Sequence, residues 1–364
     1  MNKEHDSDAT MARKSFRPVL MASRNTVTQY AGFLGHLLAG LADESISAVL
    51  VCPPGYDTAS LVSAPVTAMI HPPMDLPLLR QAGLGALRLQ LERFKPTVVH
   101  GLCESQWRLT RRLTGRLDVP YVQMVNSLPT GLSTFSTASA RCAAIVVSAE
   151  TIKACWPSAD RVRRINMGAF VAEEVACFSD SSQLPSIVIA EPLHRVSDFE
   201  AFFRAVKNLL ADGYEFMVVV MGTGTGEHRL RRFLADGGLS WAVTIVPTLN
   251  PWRCVLGAGD IFVQPRPLRA FSGYMLEAMS VGTAVAACLG GVDDLIIPNQ
   301  TAVVFEPDDE PSIRQALTQL LDAHDFARRL AKTAQEHVRV CHSVSAMVSA
   351  TLATYAEAHQ GHRD

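Results

Sequence analysis

Residues 265–287 read PRPLRAFSGYMLEAMSVGTAVAA, and this stretch decides the fold. The run Asp260-Ile-Phe-Val-Gln before it is apolar and stops at Pro265, so it reads as a short buried strand. Ser272 is placed to cap a helix over Tyr274–Val281, where Met275, Leu276, Glu277, Ala278 and Met279 are good helix formers. Gly282 stops that helix, and Thr283–Cys288 is a second buried run. Strand, loop, helix and strand in this order build a parallel α/β sheet. They also set a helix N-terminus at its carboxyl edge, where free N–H groups and a partial positive charge suit an anion such as a diphosphate. Glu277, about one turn into the helix, is placed to face that ligand.

Working outward, strands alternate with helices along the whole chain. Pro18–Ser23, Ile46–Cys52, Val66–Ile70, Thr97–His100, Pro120–Val125 and Ala143–Ser148 read as strands of a first parallel sheet. Thr28–Leu41, after a polar loop Arg24–Thr28, is expected to be a helix, as are Leu76–Phe94 and the basic Gln106–Leu117. Ser186–Ala190, Phe216–Met221 and Val243–Val246 open a second set that continues through the decisive stretch to Ala302–Phe305. The expected organisation is a disordered tail over 1–15, a Rossmann-like domain over 16–168 and a polar linker over 169–183. A second Rossmann-like domain covers 184–340, and a terminal helix in 341–364 crosses back to the first.

Composition narrows the function classes. At 364 residues and 48% hydrophobic content the chain is long enough for two cores. A formal charge of −2 supplies no field for nucleic acid, which is excluded as a partner. The 8 cysteines are widely spaced without a CxxC pair, as expected of reduced core thiols in a cytoplasmic protein. No apolar run is long enough for a transmembrane segment; the leucine-rich Leu76–Phe94 leaves a peripheral membrane location as the alternative. HExxH, GxSxG and P-loop signatures are lacking, and Gly222-Thr-Gly-Thr-Gly226 lacks the dinucleotide spacing. No metal site is expected: Asp308-Asp309-Glu310 reads as a match to a helix N-terminus.

The decisive stretch resembles the donor-binding segment of the family 4 retaining glycosyltransferases of GT-B fold. That family writes it as E-x7-E within E-G-F-G-x-x-x-L-E-A-M-x-x-G-x-P-V. Phe271, Leu276, Glu277, Ala278, Met279, Gly282 and Val285 match, and Arg269 stands in place of the first glutamate. Lys95–His100, Ala143–Glu150 and Asn166-Met167-Gly168 resemble further stretches of the family. The resemblance implies two Rossmann-like domains facing each other across a cleft, and transfer of a sugar, with retention, from a nucleotide-sugar donor to a hydroxyl acceptor. A lipid-linked acceptor is one candidate. Neither a metal nor a further cofactor is implied.

The same resemblance assigns the ribose hydroxyls to Glu277 and the donor phosphates to the backbone of Phe271, Ser272, Gly273, Tyr274 and Met275, with Gly222 in the turn beside the nucleotide. Asn126 occupies the position of a histidine near the transferred sugar, and His100 and Glu104 sit at neighbouring strand ends. Where the family carries G-R-L-x-x-x-K-G, this chain has Ala190-Glu-Pro-Leu-His-Arg-Val-Ser197, so Glu191 and Val196 replace two cations. Positive charge for a leaving diphosphate must then come from Arg195, Arg266 or Arg269, of which Arg269 and Arg195 are counted with Asn126 as catalytic candidates. The rival reading is a glycosyltransferase-like protein that has lost catalysis and serves as a binding or regulatory module. A sugar-nucleotide epimerase would need more carboxylates and histidines than the sequence places.

Overall fold

The computed structural model describes residues 16–55, 66–71, 77–129, 140–156, 160–180, 182–248 and 252–362. The tail expected over 1–15 lies outside them. The chain divides into two compact units, one formed by 1–168 with 342–364 and the other by 169–341.

The first unit is a seven-stranded sheet. Its strands are β1 (Pro18–Met21), β2 (Val49–Cys52), β3 (Thr67–Ile70), β4 (Val98–Gly101), β5 (Tyr121–Val125), β6 (Cys142–Val147) and β7 (Val162–Arg164). They lie in the order β3-β2-β1-β4-β5-β6-β7, every pair parallel. Parallel strands are covered on both faces, so they read as unbroken apolar runs: β1, β2 and β4 are buried at every position. The edge strand β3 is largely exposed.

Helices α1 (Arg24–Thr28), α2 (Ala31–Asp43), α3 (Pro77–Phe94), α4 (Trp107–Leu117) and α5 (Glu150–Lys153) connect them. The loop expected over Arg24–Thr28 is instead helical. Ser23 accepts a hydrogen bond from the Thr26 N–H at 3.1 Å, and Thr26 Oγ1 accepts from the Ser23 N–H, a capping box that the lack of a Glu or Gln at that spacing conceals.

The helix Val344–Gln360 packs within this same unit, against α2 and strands β4 to β6. Tyr355, fully buried, sets its hydroxyl 2.9 Å from His100 Nδ1 and its ring edge-on to Phe16. Burial pushes His100 down to about 3, so the ring is neutral. At the head of the helix Ser343 caps the Ala346 N–H at 3.1 Å, and His342 Nδ1 lies 2.8 Å from the Met167 carbonyl.

The second unit is a six-stranded sheet of β8 (Ser186–Ala190), β9 (Met217–Met221), β10 (Val243–Val246), β11 (Ile261–Gln264), β12 (Ala284–Ala287) and β13 (Val303–Val304). The order β10-β9-β8-β11-β12-β13 is again all parallel. The chain winds outward from β8 to β10, returns to β11 beside β8, and winds out the other way. The crevice between the carboxyl ends of β8 and β11 is the topological switch point, where open α/β sheets bind ligands.

The helices here are α6 (Glu200–Ala211), α7 (Glu227–Asp236), α8 (Trp252–Gly257), α9 (Gly273–Val281), α10 (Glu310–Asp322) and α11 (His324–Cys341). Phe199, Phe202 and Phe203 are buried in the core beneath them.

The stretch 169–180, expected as part of a linker, is instead laid along the end of α9. The N–H groups of Ala172, Ala176 and Cys177 donate to the carbonyls of Ser280, Val281 and Gly282 at 2.9, 3.2 and 3.0 Å. A helix end leaves carbonyls without intrahelical partners, and this segment satisfies them. Cys177 is fully buried as a result, and Asp260 accepts from the Phe178 and Ser186 N–H groups at 2.6 and 2.8 Å.

Candidate functional site

The switch point of the second unit gathers most of the residues singled out above. Ser272 adopts extended backbone, and its Oγ accepts from the Met275 N–H at 3.2 Å, which starts α9 at the position the sequence predicts. Gly282 ends α9 in the left-handed region at φ +79, and a Cβ there would lie 2.7 Å from Val175 Cα, so only glycine fits. Phe271, Tyr274 and Met275 are buried around the helix start. Burial pushes the Tyr274 phenol up to about 12, so it stays neutral.

Across the crevice, β8 runs into Glu191. The three glycines after β9 form a seat for the loop that carries it. A Cβ on Gly222 would stand 2.0 Å from the Glu191 carbonyl, one on Gly224 2.1 Å from that of Leu193, and one on Gly226 2.5 Å from that of His194. Their spacing answers to this close backbone packing and not to a dinucleotide.

Glu191 is 5% exposed and does not stand alone. Arg266, from the loop after β11, donates from Nη2 to Glu191 Oε2 at 3.2 Å and holds Asp198 at 3.7 Å through Nε. Arg195 sits 3.0 Å from the other Asp198 oxygen, with its side chain 71% exposed. Burial raises Glu191 to about 7 against the pull of the guanidinium. Arg269, by contrast, is exposed on the loop between Arg266 and Phe271. The sequence made Arg269 the leading substitute cation; the structure brings Arg266 to the position beside Glu191. Gln264, at the end of β11, is 2% exposed, and its Oε1 makes no hydrogen bond among the described residues.

Glu277 was expected to face the ligand. It is 2% exposed, and Arg253 of α8 donates from Nη1 to its Oε2 at 2.7 Å while Ser280 Oγ lies 3.3 Å away. Arg253 also donates to the Phe170 carbonyl. Burial outweighs Arg253 and lifts the Glu277 carboxyl to about 7. Sequence reasoning missed Arg253 and Asp198, since neither lies in a stretch with a recognisable pattern.

In the first unit Asn126 follows β5 and is buried. Its backbone N–H donates to Glu104 Oε2 and its Nδ2 to the Leu102 carbonyl, each at 3.2 Å, while Oδ1 has no hydrogen-bond partner among the described residues. Glu104 also accepts from Ser127 Oγ. His100, a neighbouring strand-end candidate, is committed to Tyr355. Among the described residues no cluster of histidine, cysteine or carboxylate side chains is arranged to hold a metal ion. No described helix is long and apolar enough to cross a membrane.

Residues 185–323, within the second unit, match the model of the family described as glycosyl transferases group 1. Solved structures extend the likeness to the whole chain. A glycosyltransferase from Rickettsia africae is 13% identical with a TM-score of 0.75, covering 94% of this chain and 98% of its own. Anabaena HepE, solved with UDP and glucose, is 12% identical with a TM-score of 0.76, covering 94% and 99%. Sucrose-phosphate synthase from Thermosynechococcus elongatus is 16% identical with a TM-score of 0.70, covering 94% and 98%. Comparison with curated protein sequences gave no match. Residues 185–323 thus match the group 1 glycosyl transferase model, and the chain as a whole shares the GT-B fold of these structures.

Proposed function

We propose that the protein transfers a sugar from a nucleotide-sugar donor to a hydroxyl acceptor, with retention of configuration. The observation that carries this reading is the capped start of α9 beside the switch point of the second unit, within the residues that match the glycosyltransferase model. Anabaena HepE, of the same fold, has been solved with UDP-glucose, which supports a nucleoside-diphosphate sugar as the donor class.

In this reading the backbone of residues 271–275 and the partial charge of α9 meet the diphosphate. Glu277 accepts from the ribose hydroxyls while Arg253 fixes its carboxylate. The loop arginines Arg195 and Arg269 remain catalytic candidates as cations of the second unit, and Asn126 remains a separate candidate of the first. The leaving diphosphate is stabilised by preorganised N–H groups and cations, and no protein nucleophile or metal is invoked.

The buried Glu191–Arg266 pair favours a second reading, because it neutralises a cation of the loop between β11 and α9. In that case the site binds donor without turnover, as a remnant with a binding role. Calorimetric titration with a panel of nucleoside diphosphates and their sugars, followed by hydrolysis and transfer assays on any that bind, separates the two. Failure of every nucleotide to bind would end both.

A further inference from the structure

Glu191 occupies a costly position. A carboxylate at 5% exposure, at the switch point and near enough to Tyr274 of the first turn of α9 to raise its phenol, is tolerated only with a partner. That partner comes from far along the chain, since Arg266 lies 75 residues on. The groups around it are countable. Arg266 contacts it directly, Asp198 adds a second negative charge from the turn before α6, and Arg195 reaches Asp198 from the solvent side. From α9 and the end of β12, Tyr274 and Cys288 face it, and burial pushes each up to about 12, so both stay neutral. The cluster therefore holds two carboxylates against two guanidiniums, and the carboxylate of Glu191 already sits on the cation that an anionic ligand would need.

We propose that Arg266 is the cation that meets the donor's diphosphate and that Glu191 is its positioning residue, holding the guanidinium beforehand and giving it up when phosphate oxygens arrive. This rests on the donor reading above. The loop that carries Glu191 is held firmly: Gly222 and Gly224 let it approach the neighbouring backbone closely, and the Leu193 N–H donates to the Thr223 carbonyl at 3.1 Å. Arg266 is anchored by its own loop, where the Val292 N–H donates to the Leu268 carbonyl at 2.7 Å. Arg266 keeps 31% of its side chain exposed while Glu191 keeps 5%, so the guanidinium is the member of the pair that a ligand can reach. The exchange is easiest with Glu191 protonated, because an ionised Glu191 both retains Arg266 and repels the diphosphate.

The test is calorimetric binding of uridine-, adenosine-, guanosine- and thymidine-diphosphate sugars from about pH 6 to about pH 8.5, a range in which their esterified phosphates do not titrate and Glu191 does. Affinity of the wild-type protein is expected to fall towards tenfold per unit once pH passes about 7. Glu191→Gln should flatten that profile and bind about tenfold more tightly near pH 8. Arg266→Met should lose binding by about tenfold or more, with Arg266→Lys recovering part of it.

The double variant Arg266→Met with Glu191→Gln leaves no buried charge unpaired and decides the role. If it binds as weakly as Arg266→Met, Arg266 meets the ligand. If it binds like the wild type, Arg266 only neutralised Glu191 and the proposal is overturned, as it is by a flat wild-type profile. Binding that appears only in Glu191→Gln supports it. Should no nucleotide sugar bind either protein, the donor reading itself fails and takes this proposal with it.

Discussion

Arg253 Nη1 stands 2.7 Å from Glu277 Oε2, and this pair ties α8 to the middle of α9 with the carboxylate almost wholly out of water. Breaking a buried pair from one side leaves an uncompensated charge, which costs more than the pair contributes. Arg253 is 29% exposed, which moderates the loss. Arg253→Ala is expected to destabilise the protein by about 2 kcal/mol in urea unfolding, and Arg253→Ala with Glu277→Gln to regain most of it. Equal losses in the single and double variants would show that the pairing is not what Arg253 contributes.

Glu277 also carries the ribose in the proposed function. Glu277→Gln should weaken nucleoside diphosphate binding by about 1.5–3 kcal/mol, the scale of hydrogen bonds to a charged group. As the ligand-facing residue expected from sequence, this glutamate could be lost with stability nearly untouched. Its burial against Arg253 and Ser280 means that Glu277→Ala costs stability as well, so the glutamine variant is the cleaner probe. Unchanged affinity in Glu277→Gln would remove the residue from the nucleotide site.

Acid should not harm the second unit at first. Burial raises Glu191 and Glu277 from 4.5 to about 7. Between those values the folded protein binds more protons than the unfolded chain, so stability is greater at the acid end and declines as pH rises towards about 7. These two carboxyls alone lower urea midpoints over that interval and have no further effect above it. His100 and His337, which burial holds below the ordinary imidazole range, act in the opposite sense below about 6.5, so the comparison with variants decides. Glu191→Gln and Glu277→Gln should each shift the slope upward relative to wild type, and unchanged slopes in both would contradict the two shifts.

Gly282 combines a left-handed backbone with a close backbone contact. Alanine would be strained at φ +79 and would press its Cβ to 2.7 Å from Val175 Cα. Gly282→Ala is expected to cost about 2–4 kcal/mol from the left-handed backbone and the contact together. The loss would be read as an earlier thermal or urea transition, and a variant as stable as wild type would show that 169–180 is not held against α9.

The segment 265–287 was legible in the sequence because its signals are local. Ser272, the helix formers after it and Gly282 act on their own neighbours, and the structure places the cap and the stop where those residues stand. The parallel sheets were legible for the same reason, as unbroken apolar runs between helices. The charge arrangement was not. Glu191 and Arg266 are 75 residues apart and Arg253 and Glu277 are 24 apart, and no periodicity connects them. Glu191 meets Arg266 because β8 lies beside β11, and Arg253 meets Glu277 because α8 packs on α9; both are properties of tertiary order. The stretch 169–180 failed differently: its polar composition looks like a linker, while its backbone N–H groups are what the end of α9 requires.

The helix Val344–Gln360 makes the first unit discontinuous, since residues 342–364 belong with 1–168 while 169–341 stand between. On a ribosome this fixes a schedule. The second unit has all of its residues available before the first does, and His100 must wait for Tyr355 through the synthesis of the whole intervening domain. Until then the apolar surface that Tyr355, Leu352 and Val348 cover is open to water and to chaperones. A nascent chain arrested before residue 342 should therefore show a protease-resistant second unit and a first unit that is still cleaved.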